Sequence, residues 1–284
     1  MENNNAAVYE GNRKTCMILA LLLTMITCNA ASYGNNVALP RLLVQMDAMD
    51  YYAVYAAIAS MGMMTALPLT GSLSAKFGTR TVILFGFFAQ FVTRLLMMFT
   101  GNALIFGVLY ALAGFFLGLY MAAPYSVMAE VVTPEERPKF FGYVAAASAA
   151  GALIGPYMTG LVVDHISAGA GLICYVVFAV IPVIVFCTMY PNRKRPVGAF
   201  DFPGLLLLVV LVLCLVMWLS LGGKLFAYAS APGVILPVGA VISFLLLLKR
   251  EQSVSSPAVP IHVFARKRFR YTFVIQALVV SYAT

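Results

Sequence analysis

Long apolar runs separated by short polar segments dominate the chain. Eight runs are candidate membrane spans, which need about 20 mostly apolar residues. They cover residues 16–39, 52–69, 82–99, 104–128, 143–163, 171–189, 202–221 and 234–248. Apolar residues are continuous within the runs and do not alternate with polar ones at a period of two. The pattern therefore favours helices over the strands of a membrane barrel.

A ninth apolar run begins near Tyr271 and reaches the end of the sequence at Thr284. At about 14 residues it is too short for a span, so we expect the chain to be the N-terminal part of a longer protein.

The composition places these runs in a membrane. Hydrophobic residues make up 62% of the chain and charged residues only 10%, whereas a soluble domain carries about 25% charged residues. So few charges cannot cover a surface in contact with water. In lipid every backbone polar group must be satisfied inside the protein, which a helix does within one segment. The predicted fold is an all-α polytopic membrane helix bundle.

Basic residues are distributed unevenly between the two sets of loops. Of the 18 lysines and arginines, all but Arg41, Lys224 and Arg94 fall in loops on the same side as the N-terminus. Lysine and arginine collect in cytoplasmic loops, so the N-terminus is predicted to be cytoplasmic. The net charge of +8 comes from these loop residues, which would lie near anionic lipid headgroups. Nucleic acid is therefore not predicted as a partner.

The sequence offers no support for metal or cofactor chemistry. Its five cysteines lie inside apolar runs without a C-x-x-C pair, which is typical of packing residues. The two histidines, His165 and His262, are far apart. Neither an H-E-x-x-H zinc motif nor a G-x-x-x-x-G-K-[ST] phosphate-binding loop occurs, so we predict no metal, no cofactor and no enzymatic activity.

The predicted loop between the second and third spans contains a glycine-rich basic segment, GSLSAKFGTR, over residues 71–80. Its two glycines permit a tight turn where two helices approach, and its basic side chains can pair with a helix end or a carboxylate. The segment resembles the loop signature of the major facilitator superfamily. The matching positions are Gly71, Leu73, Lys76, Gly78 and Arg80. The resemblance implies a gating loop, although Ala75 stands where the family has its acid.

The fifth span contains the segment GALIGPYMTG over residues 151–160. Small residues four apart let helices touch closely, and a proline removes a hydrogen bond from the helix. The segment resembles the antiporter signature of the same superfamily at Gly151, Gly155, Pro156 and Gly160, with Thr159 in place of a glycine. A hinge or rocking contact is implied, and generic packing of a glycine-rich helix is the alternative.

Other segments resemble the fourteen-helix drug:proton antiporter branch of the superfamily. They are NVALP over 36–40, PEER over 134–137, and DFPG over 201–204. The resemblance implies the major facilitator fold. Its first six-helix half would cover residues 1–190 and two additional central helices would cover 191–250. A cytoplasmic loop and the truncated first helix of the C-terminal half would cover 251–284. Two charged positions of the branch are missing, because Ala31 stands at an acidic position and Tyr110 at an arginine position.

Arg94 is the one basic residue inside a predicted span. A charge in a span is a functional hypothesis by default. Counted from the turn near Gly101, Arg94 and Tyr110 have similar depth, so the guanidinium could replace the missing arginine from a neighbouring helix. Snorkelling to the outer interface is the alternative. It is favoured, because third helices of the resembled family lie away from the cavity.

Polar residues also line one face of the first span, where spacings of three, four and seven place them together. They are Asn29, Ser32, Tyr33 and Asn36. They are expected either to line a substrate cavity or to hydrogen-bond between helices, and Tyr55 and Tyr110 would add aromatic walls. Glu130, near the inner end of the fourth span, is a candidate charge latch with Arg80 or Lys76, or else an ordinary interfacial acid.

The function implied by the resemblance is proton-coupled efflux of small organic or drug-like solutes by alternating access. The expected partners are a small-molecule solute, the lipid bilayer and protons, in a protein that is monomeric when complete. The expected location is a bacterial plasma membrane. An uncoupled facilitator or importer is the alternative within transport. A membrane receptor or membrane enzyme is the alternative of another class.

Overall fold

A computed structural model of the chain describes residues 11–192, 201–223 and 225–251. Regular structure in these ranges is helical, apart from one isolated bridge between Gly222 and Phe226. A short 3-10 turn, Met49–Tyr51, precedes the second helix. The helices are α1 (Asn12–Gln45), α2 (Tyr52–Phe77), α3 (Thr79–Met98), α4 (Ala103–Met121), α5 (Ala123–Val131), α6 (Arg137–His165), α7 (Ala168–Gly171), α8 (Val176–Thr188), α9 (Phe202–Leu221) and α10 (Ala231–Glu251).

All eight predicted spans coincide with helical segments. In the described ranges six segments are long and apolar enough to cross a membrane, or seven if one bent pair counts as a single span. The apolar stretch of α9, Leu206–Leu219, is shorter. The predicted all-α membrane bundle is therefore confirmed. The ninth apolar run and the basic residues of 193–195 and 266–270 lie outside the described residues.

Three predicted spans are interrupted or bent. The span predicted over 104–128 is two helices, with Pro124 in the first turn of α5. A proline suits a first turn because its missing N–H would have no partner there. The span over 171–189 begins as the short α7 and continues, after a turn, as α8. The second span bends by 48° between Met49–Leu67 and Leu69–Phe77.

Helix α1 contacts several other helices of residues 11–192. It packs along α6 and also contacts α8 and α5, whereas α2 pairs with α4 and α4 packs on α3. One apolar cluster, which includes Leu21 and Tyr120, fills the half of the bundle near the N-terminal end of α1. A second cluster, which includes Leu43 and Phe106, fills the other half.

Glycines bring α1 and α6 into backbone contact. A Cβ added at Gly155 would lie 2.5 Å from the Cα of Ala30, and one added at Gly151 would lie 2.6 Å from the carbonyl oxygen of Ile26. Both distances are shorter than van der Waals contact, so only glycine fits without moving the helices apart. The small-residue face seen in the sequence is thus directed at α1.

Helices α9 and α10 pack on one another, and α9 lies against α2. Asp201 caps α9 by accepting a hydrogen bond from the Gly204 N–H at 3.0 Å, and it also accepts one from the Arg250 Nε at 2.7 Å. This ion pair joins the start of α9 to the end of α10. Leu221 completes the contact by packing with Ala57 and Met61 of α2.

Candidate functional site

A polar cavity of about 140 Å³ lies between α1, α2 and α4. Its polar lining consists of Ser32, Asn35, Asn36, Ser60, Tyr110 and Arg94. Alanine, methionine, leucine and glycine residues of α2 and α4 form the rest of the wall. Asn36 and Ser60 are exposed, so the cavity opens on the face of the bundle that these helices form.

Arg94 of α3 reaches into this cavity from behind α1. Its Nη1 donates to the Asn35 Oδ1 at 2.7 Å and to the Leu172 carbonyl at 3.0 Å, and its Nη2 donates to the Ala31 carbonyl at 3.4 Å. The guanidinium carbon lies 4.9 Å from the centre of the Tyr175 ring, a cation–π distance. All these partners are neutral groups.

The expectation that Arg94 snorkels to the outer interface is wrong. Its side chain is only 2% exposed and points into the bundle, where acceptors on α1 hold it. A buried polar group is costly unless it is hydrogen-bonded, and the α1 carbonyl and carboxamide supply those bonds. Arg94 and Tyr110 line the same cavity, in agreement with their similar predicted depth.

Tyr110 forms the aromatic wall of the cavity. It is 4% exposed, and its ring stacks on Phe106 with centroids 5.8 Å apart. Tyr55, predicted to form a second wall, lies elsewhere: its hydroxyl donates to the Ala103 carbonyl at 2.8 Å. It lines a separate, more apolar cavity of about 610 Å³ between the start of α2 and the start of α4.

The polar stripe of α1 is divided between two environments. Ser32 and Asn36 line the polar cavity. Asn29 bonds back to the Met25 carbonyl at 2.9 Å and lies beside Gly151 of α6, and Tyr33 is exposed. Asn35 was missed by the stripe argument because it lies off that face. Its signal was a polar side chain within an apolar run, which needs a partner.

The motif loop between α2 and α3 is held by the segment that follows α8. Gly78 ends α2 and starts α3 with φ of +95°, a conformation that side-chain-bearing residues rarely adopt. The Asn192 side chain lies directly against it. Asn192 donates from its Nδ2 to the Thr81 hydroxyl at 2.9 Å and to the Phe77 carbonyl at 3.3 Å. Sequence reasoning missed Asn192, which lies far from the motif along the chain.

The basic residues of the loop motif also act locally. Arg80 donates to the carbonyl oxygens of Cys187 and Tyr190, at the C-terminal end of α8. A cation at this end of a helix interacts favourably with the free carbonyl groups. The ammonium of Lys76 lies 5.3 Å from the centre of the Phe77 ring. Leu73 packs on the buried cluster of α2, α3 and α4, and Gly71 has open space beside it.

Glu130 lies at this same end of the bundle. It accepts a hydrogen bond from the Tyr190 hydroxyl at 2.9 Å, and the Tyr190 carbonyl accepts one from Arg80 at 3.4 Å. Tyr190 thus connects the acid of α5 with the arginine of α3. The latch that the sequence predicts at Glu130 stays a prediction, with Tyr190 as its observed neighbour.

The motif helix α6 carries Thr159 where the resembled signature has glycine. Thr159 is 1% exposed, and its Oγ1 lies against Gly34 of α1 and 3.2 Å from the Cys174 Sγ. At this contact the glycine, Gly34, belongs to α1 and the larger residue, Thr159, belongs to α6. Pro156 lies inside the continuous α6, and Gly160 has no atom within 4 Å of an added Cβ.

A carboxylate at the start of α6 ties that helix to α1. Glu136 accepts from the Lys14 Nζ at 2.6 Å and from the Thr133 hydroxyl at 3.1 Å. These two hydrogen bonds, with Lys14 the larger cause, lower the pKa of Glu136 from its ordinary value. This ion pair joins the N-terminal ends of α1 and α6, which are also in backbone contact at Gly151 and Gly155.

Lowering the pH should break the ion pair between Lys14 and Glu136. A carboxyl group whose pKa is lowered on folding contributes stability above its ordinary pKa, and the contribution is lost as the pH falls through the lowered value. Glu136→Gln should therefore reduce the unfolding temperature in detergent at neutral pH. The reduction should be slight, because the pair is exposed. The difference from wild type should vanish well below about pH 4.3. The exposed neighbour Glu135, as Glu135→Gln, is the control, and a pH-independent difference would contradict the assignment.

The sequence as a whole matches a known family. The profile of the Major Facilitator Superfamily covers residues 16–282. The chain belongs to the Major Facilitator Superfamily. The predicted membership of this superfamily is thereby confirmed, and the chain is a multi-pass membrane protein.

Individual members of the superfamily are similar over nearly the whole chain. Multidrug transporter protein MdtP of Bacillus subtilis (strain 168) is 23% identical over 92% of this chain and 48% of its own length. Multidrug resistance protein 3 of the same strain is 23% identical over 89% of this chain and 50% of its own length. Probable multidrug resistance protein EmrY of Escherichia coli (strain K12) is 24% identical over 91% and 51%. The chain spans about half the length of these relatives.

Within this superfamily member, three features form the candidate site. They are the cavity with Arg94, the backbone contact between α1 and α6, and the motif loop held by Asn192. In the part of the chain that the structure describes, no group of three or more His, Cys, Asp or Glu side chains is placed to hold a metal ion.

Proposed function

We propose that the complete protein is a secondary transporter that exports a small organic or drug-like solute by alternating access. The observation that carries this proposal is the cavity between α1, α2 and α4, which places polar side chains inside an otherwise apolar membrane bundle. Such side chains are costly in lipid and mark solute pathways. The reaction is binding and conformational change, with no covalent step.

The assigned binding residues are those that line the cavity. Arg94, Asn35 and Ser32 form its polar base, Tyr110 is its aromatic wall, and Asn36 lies at its open side. Transporters of this kind place their binding site near the midplane, between two repeat halves that move against each other. A second half would cover the open face, and the names of the similar multidrug transporters favour a drug-like solute.

Two other features fit the movement that alternating access needs. The glycine contact between α1 and α6 makes this pair a rigid unit that can move as one body. The loop between α2 and α3, held by Arg80 and Asn192 at the end of α8, would lie on the cytoplasmic side and open or close with that movement. We assign the N-terminus to the cytoplasm of a bacterial cell and the protein to its plasma membrane, as a monomer.

Proton coupling is the proposed energy source. It needs an ionisable group in the pathway, and the cavity lining in the described residues holds no carboxylate. The coupling acid would therefore come from outside this lining. An uncoupled facilitator or importer is the second candidate, because it needs no such acid. A receptor or membrane enzyme is the alternative of another class.

The test is transport by the full-length gene product in sealed proteoliposomes. Fluorescent cationic, neutral and anionic solutes would be followed with a pH gradient of either sign and without one. Movement that follows the gradient is the expected result. Movement of a solute down its own gradient, independent of pH, would select the facilitator. If no solute moves while the protein is folded and correctly inserted, the transport proposal is wrong.

A further inference from the structure

We infer that the cavity recognises an anionic oxygen group, such as a carboxylate, on the transported solute, with Arg94 as its charged partner. This inference rests on the proposed transport function and names the chemical class of its solute. It rests on three observations: the charge of the cavity, the donors that line it, and its size.

The charge of Arg94 is not neutralised in the described structure. A guanidinium keeps its proton in proteins, so its positive charge persists in the cavity. In the described ranges its hydrogen-bond acceptors are one carboxamide and two backbone carbonyls, and its buried Nε has no acceptor. Neutral acceptors satisfy N–H groups but leave the net charge uncompensated, and a buried charge is costly until an opposite charge pairs with it.

The surroundings of Arg94 also favour an acceptor as the ligand. Since the Asn35 Oδ1 faces the guanidinium, the carboxamide nitrogen of Asn35 is directed away from it and has two N–H groups to offer. Ser32 and Asn36, one helical turn apart on the same wall, can each donate as well. A carboxylate has two oxygens and accepts such bonds from a guanidinium and a second donor together. A cationic solute would meet like charge.

The cavity size limits what part of the solute it holds. Pockets for drug-sized ligands occupy about 300–1,000 Å³, whereas this cavity measures about 140 Å³. It can therefore hold the charged head of a solute. The remainder would extend past Asn36 and Ser60 through the open side. Tyr110 lines the same cavity and would contact the part of the solute next to that head.

The experiment compares ligands that differ only in charge. Full-length protein in detergent would be titrated calorimetrically with the carboxylate, the primary amide and the methylammonium derivative of naphthalene, biphenyl and indole. The wild type is expected to bind at least one carboxylate about tenfold or more tightly than its amide, since hydrogen bonds to charged groups are the strong ones. Binding of the ammonium derivatives should be the weakest. This comparison needs no mutant and does not depend on the folding of one.

Variants then locate the preference. Arg94→Met keeps much of the side-chain volume and removes the charge, so the preference for the carboxylate should fall to about onefold. Arg41→Gln, which removes an exposed arginine paired with Asp164 at the outer end, is the charge-matched control and should keep it. Equal or tighter binding of amide or ammonium by the wild type overturns the inference. So does a carboxylate preference that persists in folded Arg94→Met, and so does failure of every carboxylate to bind.

Transport separates this inference from the proposed function. Proteoliposomes that move ammonium or amide derivatives but not carboxylates would support a transporter and refute the anionic solute. Proteoliposomes that move none of the derivatives and none of the fluorescent solutes would refute both.

Discussion

Gly155→Ala should destabilise the protein by about 1–3 kcal/mol, the usual effect of forcing a methyl group into a filled interface, and should impair transport. The new Cβ would lie 2.5 Å from the Cα of Ala30 and 2.7 Å from its carbonyl oxygen. Both atoms belong to the backbone of α1 and cannot rotate away. Helices α1 and α6 would therefore have to separate along their backbone contact. The free energy of unfolding in mixed micelles and transport in proteoliposomes would measure the two effects.

Gly160→Ala is the matched control for this substitution. Gly160 belongs to the same motif and the same helix, and no atom lies within 4 Å of its added Cβ. The change from glycine to alanine raises helix propensity equally at both positions. The stability of Gly160→Ala should stay within about 0.5 kcal/mol of wild type or rise. Equal losses at the two positions would mean that the contact with Ala30 does not control the result.

Gly78→Ala should also destabilise the protein, by about 1–3 kcal/mol, which is the usual cost of a residue held in a sparsely populated backbone conformation. The φ of +95° at Gly78 is one that alanine rarely adopts. Its Cβ would also collide with the Asn192 carboxamide, which bonds to Phe77 and Thr81. Since the loop is the proposed gating element, the variant should lose transport in proteoliposomes together with stability.

Two further variants separate the causes at Gly78. Gly71→Ala, in the same motif, has open space beside it and should be close to neutral. Asn192→Ala removes the collision but also the hydrogen bonds to Phe77 and Thr81, so it is the reference for the double variant. Measured against Asn192→Ala, the double variant should keep part of the Gly78→Ala loss, because the backbone conformation is unchanged. A double variant as stable as Asn192→Ala would show that the collision alone was responsible and that alanine does not strain the backbone at position 78.

Helix positions were predictable because lipid imposes one requirement on every span. The continuous apolar runs had to satisfy their own backbone groups, and all eight coincide with helices. The breaks were harder to place: α5 starts with Pro124 in its first turn, whereas α6 continues through Pro156. A proline can start, bend or lie within a helix according to whether neighbours satisfy the released carbonyl. Those neighbours belong to other helices.

The site was only partly predictable. Spacing along α1 grouped Asn29, Ser32, Tyr33 and Asn36, yet only Ser32 and Asn36 line the cavity. A helical stripe states which residues share a face and does not state which neighbour each of them meets. Asn29 faces the region of Gly151 on α6 instead.

Arg94 shows the same limit more clearly. Its depth in the span followed from the sequence, but its direction did not. A long side chain at that depth can reach water or the bundle interior. The outcome depends on whether acceptors lie within reach, and here Asn35 and the carbonyls of Ala31 and Leu172 supply them. These acceptors come from α1 and the segment after α7.

The sequence by itself determined that this protein is a helical membrane bundle and a member of its superfamily, because apolar length and local glycine motifs are properties of contiguous residues. Only the tertiary structure decided that Arg94 enters a cavity with Ser32, Asn35 and Tyr110, and that Asn192 holds the loop at Gly78. Those sites join residues from separate helices. Their geometry depends on how closely the helices approach, and that approach is set by packing at positions such as Gly155 and Ala30.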